Sequence, residues 1–467
     1  MKITQDKVFY HIYPLGMCGA PLRNDFQSPA GDGLKKLIDR IPHFLWLGIN
    51  AVYIGPLFES TAHGYDTVDY FHVDRRLGTN ADLVELVRAL HANGIAVILD
   101  AVFNHTGRDF FAFKDILQNG ESSQYKDWYK HIDFNRRSPA GDSFSYEGWS
   151  GNYDLVKLDT ENPEVRKHLL DAVHLWISEF DIDGLRLDAA DQLSPEFMDA
   201  LSTFCRREKP DFWLAGEVVH GDYRHWAHRG RFDSVTNYET YKGLWSSFND
   251  RNMFEIAWSL NRQFGPDGMY RDIPLYNFVD NHDVSRLASI LKNPAHLIPV
   301  YAMLFTIPGI PSIYYGSEWG LRGEKRPGSD AELRPCVRET AEHGRYSGVP
   351  VQCQPQVDSA ALESAIHRLA GIRKVHQALQ SGSYAQLHVA SESFAFLRGN
   401  TAETMLIVVN AASQETKLRI NLPAGKQSGT TMWKELFIDE QIFHSERNLL
   451  SVSVPAFSVR ICQEIFS

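Results

Sequence analysis

The chain has no run of about eighteen apolar residues that could cross a bilayer as a helix, and its N-terminus, MKITQDKVFYHIYP, lacks the apolar core of a secretory signal. A soluble, cytoplasmic protein with no membrane partner is expected. Long Lys/Arg blocks are also missing: 47 basic residues against 58 acidic ones leave a formal charge of −11, which argues against nucleic acid and suits a neutral substrate. Cysteine is scarce. Cys18, Cys205, Cys336, Cys353 and Cys462 are odd in number and show neither CxxC nor Cys/His spacing, so neither a disulfide framework nor a zinc site is implied.

Apolar residues, by contrast, are plentiful, at 43% of the 467 positions, and a chain this long is expected to form two or three domains. Short apolar strands alternate with amphipathic helices. The eight strands expected are Val8–Tyr13, Asn50–Leu57, Ile95–Asp100, Gly184–Asp188, Phe212–Glu217, Arg231–Tyr238, Pro274–Val279 and Pro311–Tyr315. Helices are expected at Gly33–Leu47, Ala81–Asn93 (closed by Gly94), Pro163–Phe180, Pro195–Arg206, Met253–Phe264 and Ser359–Leu379. Eight such alternations predict an α/β (β/α)8 TIM barrel rather than an open sheet.

Roughly fifty residues lie between the third strand and the helix near Pro163, too many for an ordinary loop. The expected division is therefore 1–105 for the first part of the barrel, 106–160 for an insertion, 161–381 for the rest of the barrel, and 382–467 for a C-terminal β-domain. In that last span five strands (Phe394–Leu397, Met405–Val409, Lys417–Leu422, Leu450–Val454, Val459–Cys462) predict an antiparallel β-sandwich. The insertion is dense in rings, with Trp128, Tyr129, Tyr146, Trp149 and Tyr153, and about half of these would be claimed by a small core of its own.

Polar residues collect at one end of the strands: Asp100 with Asn104 and His105, Asp188 after Arg186, Glu217, and Asn281, His282 and Asp283. A lone Asp at a strand end is more often a turn former, but the C-terminal rim of a barrel is where chemistry is placed. The segments DAVFNH at Asp100–His105, GLRLDAAD at Gly184–Asp191, GEV at Gly216–Val218 and FVDNHD at Phe278–Asp283 together resemble the four signature regions of the α-amylase family of glycoside hydrolases, family 13. The resemblance runs from Val8 to about Leu379.

Breaking a glycosidic bond with retention needs two carboxyl groups about 5 Å apart, one ionised and one protonated, and the ends of adjacent barrel strands offer that separation. The resemblance implies Asp188 as nucleophile, Glu217 as acid and then base, and Asp283 as the carboxylate that holds substrate hydroxyls. Glu217 would need a raised pKa, which a neighbouring anion such as Asp283 would supply. Arg186, two positions before Asp188 on the same strand face, would orient the nucleophile. Tyr65 and Asp66 stand where the family presents a sugar-stacking tyrosine, His105 and His282 match its sugar-binding histidines, and Trp149 would line the cleft; Asp100 and Asn104 match supporting residues.

No cofactor is required on this reading. The barrel carboxylates could in principle ligate Mg²⁺, but Arg186 would repel it. The resemblance admits a structural calcium ion with Asn104 as one ligand, although the segment Asn24–Gly33 lacks the acid-dense pattern of the family's calcium loop. HGYDTVDYF and LVKLDTENPEV look most like the neopullulanase, cyclomaltodextrinase and maltogenic amylase group, here expected without that group's N-terminal domain. Asp159 stands where that group usually has Asn, Val219 where an aromatic is common, and Ala189-Ala190 where secreted amylases carry Lys-His.

The function expected is hydrolysis of α-1,4 bonds in short maltooligosaccharides, with cyclodextrins or pullulan as further substrates, releasing maltose or glucose. The partner is then a small neutral oligosaccharide, and oligomeric state is left open. A family transglycosidase or isomerase acting on disaccharides, or a non-catalytic carbohydrate-binding homologue, are the alternatives.

Overall fold

A computed structural model describes residues 1–228, 230–339, 346–423 and 431–465. The expected domain spans include residues 229, 340–345, 424–430, 466 and 467, which lie outside the described residues. Along the chain, short parallel strands alternate with helices in the (β/α)8 class, followed by an antiparallel β-domain. The chain divides into two compact units: Met1–Ile3 with His11–His43 and Asn50–Val235, and Thr4–Tyr10 with Phe44–Ile49 and Thr236–Ser467.

In the first unit the strands Ala51–Ile54, Ala96–Ala101, Gly184–Leu187, Trp213–Gly216 and Ser234–Val235 pair in that order, all parallel. The first four are buried along their whole length, as strands covered on both faces must be. Behind them helix Pro163–Ser178 starts on Asn162, whose side chain accepts from the Glu164 and Val165 amides, with Pro163 in its first turn. This helix is anchored by Trp176, which is fully buried and stacked on Phe58 (centroids 4.3 Å apart, planes at 7°) and on Phe103 (5.7 Å, 17°). Its indole nitrogen donates to the Tyr70 carbonyl at 2.9 Å.

The insertion builds a three-stranded antiparallel sheet from His105–Gly107, Gly148–Trp149 and Asn152–Lys157, with Asn152–Lys157 in the middle. Its core forms around Phe113, whose ring meets Tyr129 (5.3 Å), Tyr146 (4.9 Å) and Phe144 (5.9 Å). The expected division of the rings is visible: Trp128, Tyr129 and Tyr146 are buried, Tyr153 is half-buried, and Trp149 is 36% exposed.

In the second unit Tyr276–Phe278 pairs in parallel with Ile310–Tyr314. Among the described residues the C-terminal domain has eight antiparallel strands where five were expected; Ser383–Val389, Thr431–Glu435 and Ile442–Glu446 are the additions. Their sequences mix polar residues into the alternation, which hides the period-two signal. The sheet bends so that Ala395, Leu397, Leu406 and Val408 share one core with Leu418, Ile420, Leu450, Val452 and Val454, as the halves of a sandwich do.

Two expected helices are broken in two. Gly33–Leu47 becomes Gly33–Ile38 and Ile41–Leu47, because Pro42 lacks an amide donor and fits only the first turn of a new helix. Ser359–Leu379 becomes Ser359–Val375 and Gln377–Ser381, with His376 extended between them. Glu403 holds that break open, meeting His376 Nδ1 and accepting from the Ala378 amide, both at 2.8 Å. The sixth strand shrinks to Ser234–Val235, since Asn237 is taken as the cap of helix Tyr238–Asn249.

Within this unit the buried arginines Arg373 and Arg398 bind backbone carbonyls around one helix end. Arg373 donates to the carbonyls of Gln5, Phe305, Gly309 and Leu379, and Arg398 to those of Thr306 and Gly382. They thereby serve the carbonyl end of helix Leu297–Thr306, where the helix dipole favours positive charge.

Removing the Trp176 anchor behind these strands tests this packing. Trp176→Ala should lower the free energy of unfolding by about 3–5 kcal/mol, read from urea denaturation, through lost burial and an uncollapsed cavity.

Candidate active site

The first unit holds a cluster of buried charge at the C-terminal ends of its parallel strands. Arg186 lies opposite Asp100 on one neighbouring strand and opposite Ala215 on the other. Its Nη1 donates to Asp100 Oδ1 at 2.8 Å and to Asp188 Oδ1 at 3.0 Å, and its Nη2 lies 2.8 Å from Glu217 Oε2. One guanidinium thus joins three carboxylates. Burial works to lower its pKa, but the charges of Asp100 and Glu217 overcome this and hold it well above the ordinary arginine value.

Register explains why Asp188 and Glu217 are neighbours. Leu187 pairs with Gly216, and each acid is the next residue on its strand. Neighbouring strands lie about 4.8 Å apart, so the two carboxyl groups start from nearly the spacing that retention requires. The Asp188 amide donates to Ala101 and the Glu217 amide to Leu187, at 3.1 and 2.9 Å, so both acids remain on ordered backbone. Immediately after Asp188, Ala189 takes a left-handed conformation (φ 44°), uncommon for a residue with a Cβ, and this turns its amide onto Glu217 Oε2 at 3.2 Å.

Asp100 is the second centre of the cluster. Its Oδ2 accepts from Tyr53 at 2.7 Å and from Tyr65 at 3.0 Å, which pins Tyr65 over the rim. Tyr53 also lies beneath the Arg186 guanidinium, 5.9 Å from ring centre to Cζ. Asp66 points elsewhere: it is buried and accepts from the His63 amide at 3.0 Å, serving the turn that carries Tyr65, and burial raises its pKa.

His105 is buried in the insertion's first strand, and its ring lies 5.6 Å from that of Trp149. Burial, followed by the charge of His63, pushes its imidazole down to about 3. Asn104 donates from its amide to His105 Nδ1 at 3.2 Å, while its carbonyl accepts from Leu158. Among the described residues no three His, Cys, Asp or Glu side chains converge as a metal cage.

The second unit carries the remaining pair. His282 is buried with Nε2 2.9 Å from Asp283 Oδ2. Asn281 folds the loop back, its Oδ1 accepting from the Asp283 and Val284 amides at 2.8 and 3.1 Å. Arg334 grips Asp283 Oδ1 at 2.9 Å.

Sequence comparison now adds to this geometry. The alpha-amylase catalytic-domain model matches residues 20–382. The chain belongs to the α-amylase family. It is a glycoside hydrolase. It is similar to a cyclomaltodextrinase of a Bacillus species, 33% identical over 460 residues that cover 92% of this chain and 77% of the relative. It is also similar to the intracellular maltogenic amylase of Bacillus subtilis, 35% identical over 308 residues that cover 65% of this chain and 51% of the relative. A solved cyclomaltodextrinase structure superposes with a TM-score of 0.83 at 29% identity, covering 99% of this chain and 78% of the other.

Sequence reasoning had passed over Tyr53 in the first unit and Arg334 in the second. Tyr53 was detectable as the one hydroxyl within the apolar run NAVYIGPL. Arg334 was not, because only folding brings it to Asp283, 51 residues away in the chain.

The buried His105 makes stability depend on pH with a definite sign. Its folded value lies below its ordinary 6.5, so the unfolded chain takes up the proton first as pH falls. Its contribution is complete above about 6.5 and declines by about 1.4 kcal/mol per pH unit toward about 3. In urea titrations across that window, a His105→Gln variant should lose stability less steeply than wild type.

Proposed function

We propose that this chain is a retaining hydrolase of α-1,4-glucosidic bonds in short maltooligosaccharides and cyclodextrins, releasing maltose or glucose. The observation that carries the proposal is the pairing of Asp188 with Glu217 at consecutive strand ends, both held by the single guanidinium of Arg186.

In the first step an Asp188 oxygen attacks the anomeric carbon as the glycosidic bond breaks, and Glu217 gives its proton to the departing oxygen. The products are a glycosyl ester on Asp188, an ionised Glu217 and a shortened glucan. In the second step Glu217 takes a proton from water, the hydroxyl oxygen attacks the same carbon, and the ester bond to Asp188 breaks. Two inversions restore the original anomer, and Glu217 ends protonated as it began.

Arg186 keeps Asp188 aimed while the ester forms and breaks. Because Arg186 and the Ala189 amide hold Glu217 Oε2, that oxygen is fixed and the carboxyl has a defined plane. Asp283, the third carboxylate, holds sugar hydroxyls, with His282 and His105 as further hydrogen-bonding partners. A neutral His105 can both donate and accept, which suits hydroxyls better than an imidazolium would.

Tyr65 and Trp149 offer flat rings to pyranose faces; Trp149 is 36% exposed in the insertion, residues 106–160, which we take to wall the cleft. Asp66 supports the Tyr65 turn on this reading. The partner is a small neutral oligosaccharide. Residence in the cytoplasm is supported by five free thiols and by the relative named an intracellular maltogenic amylase.

Incubation with maltotriose, maltohexaose, β-cyclodextrin, pullulan and sucrose, followed by chromatography and early-time NMR, tests the proposal. Maltose or glucose should appear from the first three, initially as the α-anomer. Disaccharide isomers formed from sucrose, or no glucan turnover at all, would overturn it. Asp188→Asn should lose turnover by about 10³-fold or more while still binding maltohexaose in calorimetry.

A further inference from the structure

We propose that His296 is a proton-sensitive latch between the second part of the barrel and the C-terminal domain: neutral, it holds one corner of that domain in place, and protonated, it lets the corner go. His296 is buried and stands as the N-cap of helix Leu297–Thr306. Its ring is wedged between Phe248, from the barrel helix Tyr238–Asn249, and Phe457, from the C-terminal domain, with centroids 5.1 and 5.2 Å away. Nε2 lies 3.0 Å from the Ala411 carbonyl. A carbonyl can only accept, so Nε2 carries the hydrogen and Nδ1 of the neutral ring is bare. Among the described residues no group hydrogen-bonds to Nδ1, which is itself buried.

Several contacts meet at the corner that His296 holds. Ala411 follows strand Thr404–Asn410, and its amide donates to the Glu392 carbonyl at 2.8 Å, which joins it to the turn before strand Ser393–Gly399. Two further links from the barrel land on that turn. The Met253 amide donates to the Ser391 carbonyl at 3.0 Å, and Arg251 donates from Nε and Nη2 to the two oxygens of Glu392, each at 2.7 Å. Phe457 keeps a left-handed backbone (φ 50°), uncommon for so bulky a residue, while its amide donates to the Ala412 carbonyl at 3.0 Å. The ring that rests on His296 thus belongs to a strained residue.

A second proton on the imidazole would leave the Ala411 bond intact and put an N–H at Nδ1, between two phenyl rings and without an acceptor. It would also place positive charge at a helix N-terminus, the end that repels cations. Nearby charges do little to offset this. Asp250, just past the Phe248 helix, pairs with Lys292 at 3.1 Å, Arg251 pairs with Glu392, and the turns 411–414 and 455–458 carry no charged side chain. Burial holds the His296 imidazole below its ordinary 6.5, against the Ala411 bond and the charge of Glu392, which both favour the protonated ring. The latch is therefore complete above about 6.5 and weakens as pH falls below it.

Other ties between barrel and domain are of a different kind. Arg398 donates to the Thr306 carbonyl at 2.7 Å, at the far end of the helix that His296 caps, and acid leaves that contact alone. At His376, Nδ1 faces the Glu403 carboxylate at 2.8 Å, so a proton there meets an acceptor. Release is thereby confined to the His296 corner.

Hydrogen exchange of the full chain, read by mass spectrometry without substrate at about pH 7.5 and about pH 5 and corrected for the intrinsic effect of pH, tests this. In wild type the amides of 390–393, 410–412 and 456–458 should exchange at least about fivefold faster at the lower pH, while those around Ala378 and Glu403 change by less than about twofold. In His296→Gln, whose amide can still donate to Ala411 but takes up no proton, the effect at the corner should fall below about twofold. His105→Gln, altered elsewhere in the chain, should keep the wild-type effect.

Equal exchange at the two pH values in wild type would overturn the inference. So would a rise at the corner that persists in His296→Gln, or one that spreads evenly over the barrel. Should His296→Gln fail to fold, the midpoint of the wild-type rise is set against the titration of the buried imidazole followed by NMR: agreement supports the latch, and disagreement overturns it.

Discussion

The arrangement of the charged rim depends on one buried guanidinium. Arg186 has almost no access to water, so its charge must be met inside the protein, and Asp100, Asp188 and Glu217 meet it from three successive strands. The consequence runs in both directions. Three carboxylates this close would repel one another without the cation, and the cation would be intolerably desolvated without them. Strand register, the left-handed turn at Ala189 and the tyrosines on Asp100 can all be read as the scaffold that holds this charge cluster in one geometry.

Much of this was legible in the letters because a barrel strand announces itself twice, as a short apolar run and as a polar residue at its end. Asp100, Asp188, Glu217 and Asp283 each stood at such an end, and the alternation of elements led to the barrel class. What could not be read was anything set by contact at long sequence separation. The roles of Tyr53 and Arg334 depend on which strands and loops meet, and Asp66 turned inward because the amide of His63 reached it first.

Element boundaries failed for local reasons of a different kind. The helical period of LKKLIDRIPHFLWL is unbroken in hydrophobicity, yet Pro42 imposes a restart that periodicity cannot register. The extra C-terminal strands were missed because polar residues interrupt their period-two alternation. His376 shows the same limit, since Glu403 breaks the helix from a residue outside it.

The manner in which Arg398 and Glu403 reach out of the C-terminal sheet bears on how short the molecule can be made. Arg398 satisfies the Thr306 carbonyl at the end of helix Leu297–Thr306, and Glu403 fixes the end of the final barrel helix. Cutting the gene at residue 381 would strip the water-excluded helix ends of their partners and uncover apolar surface in the same stroke. A minimal catalyst engineered from this scaffold must therefore keep the terminal sheet or supply a substitute lid.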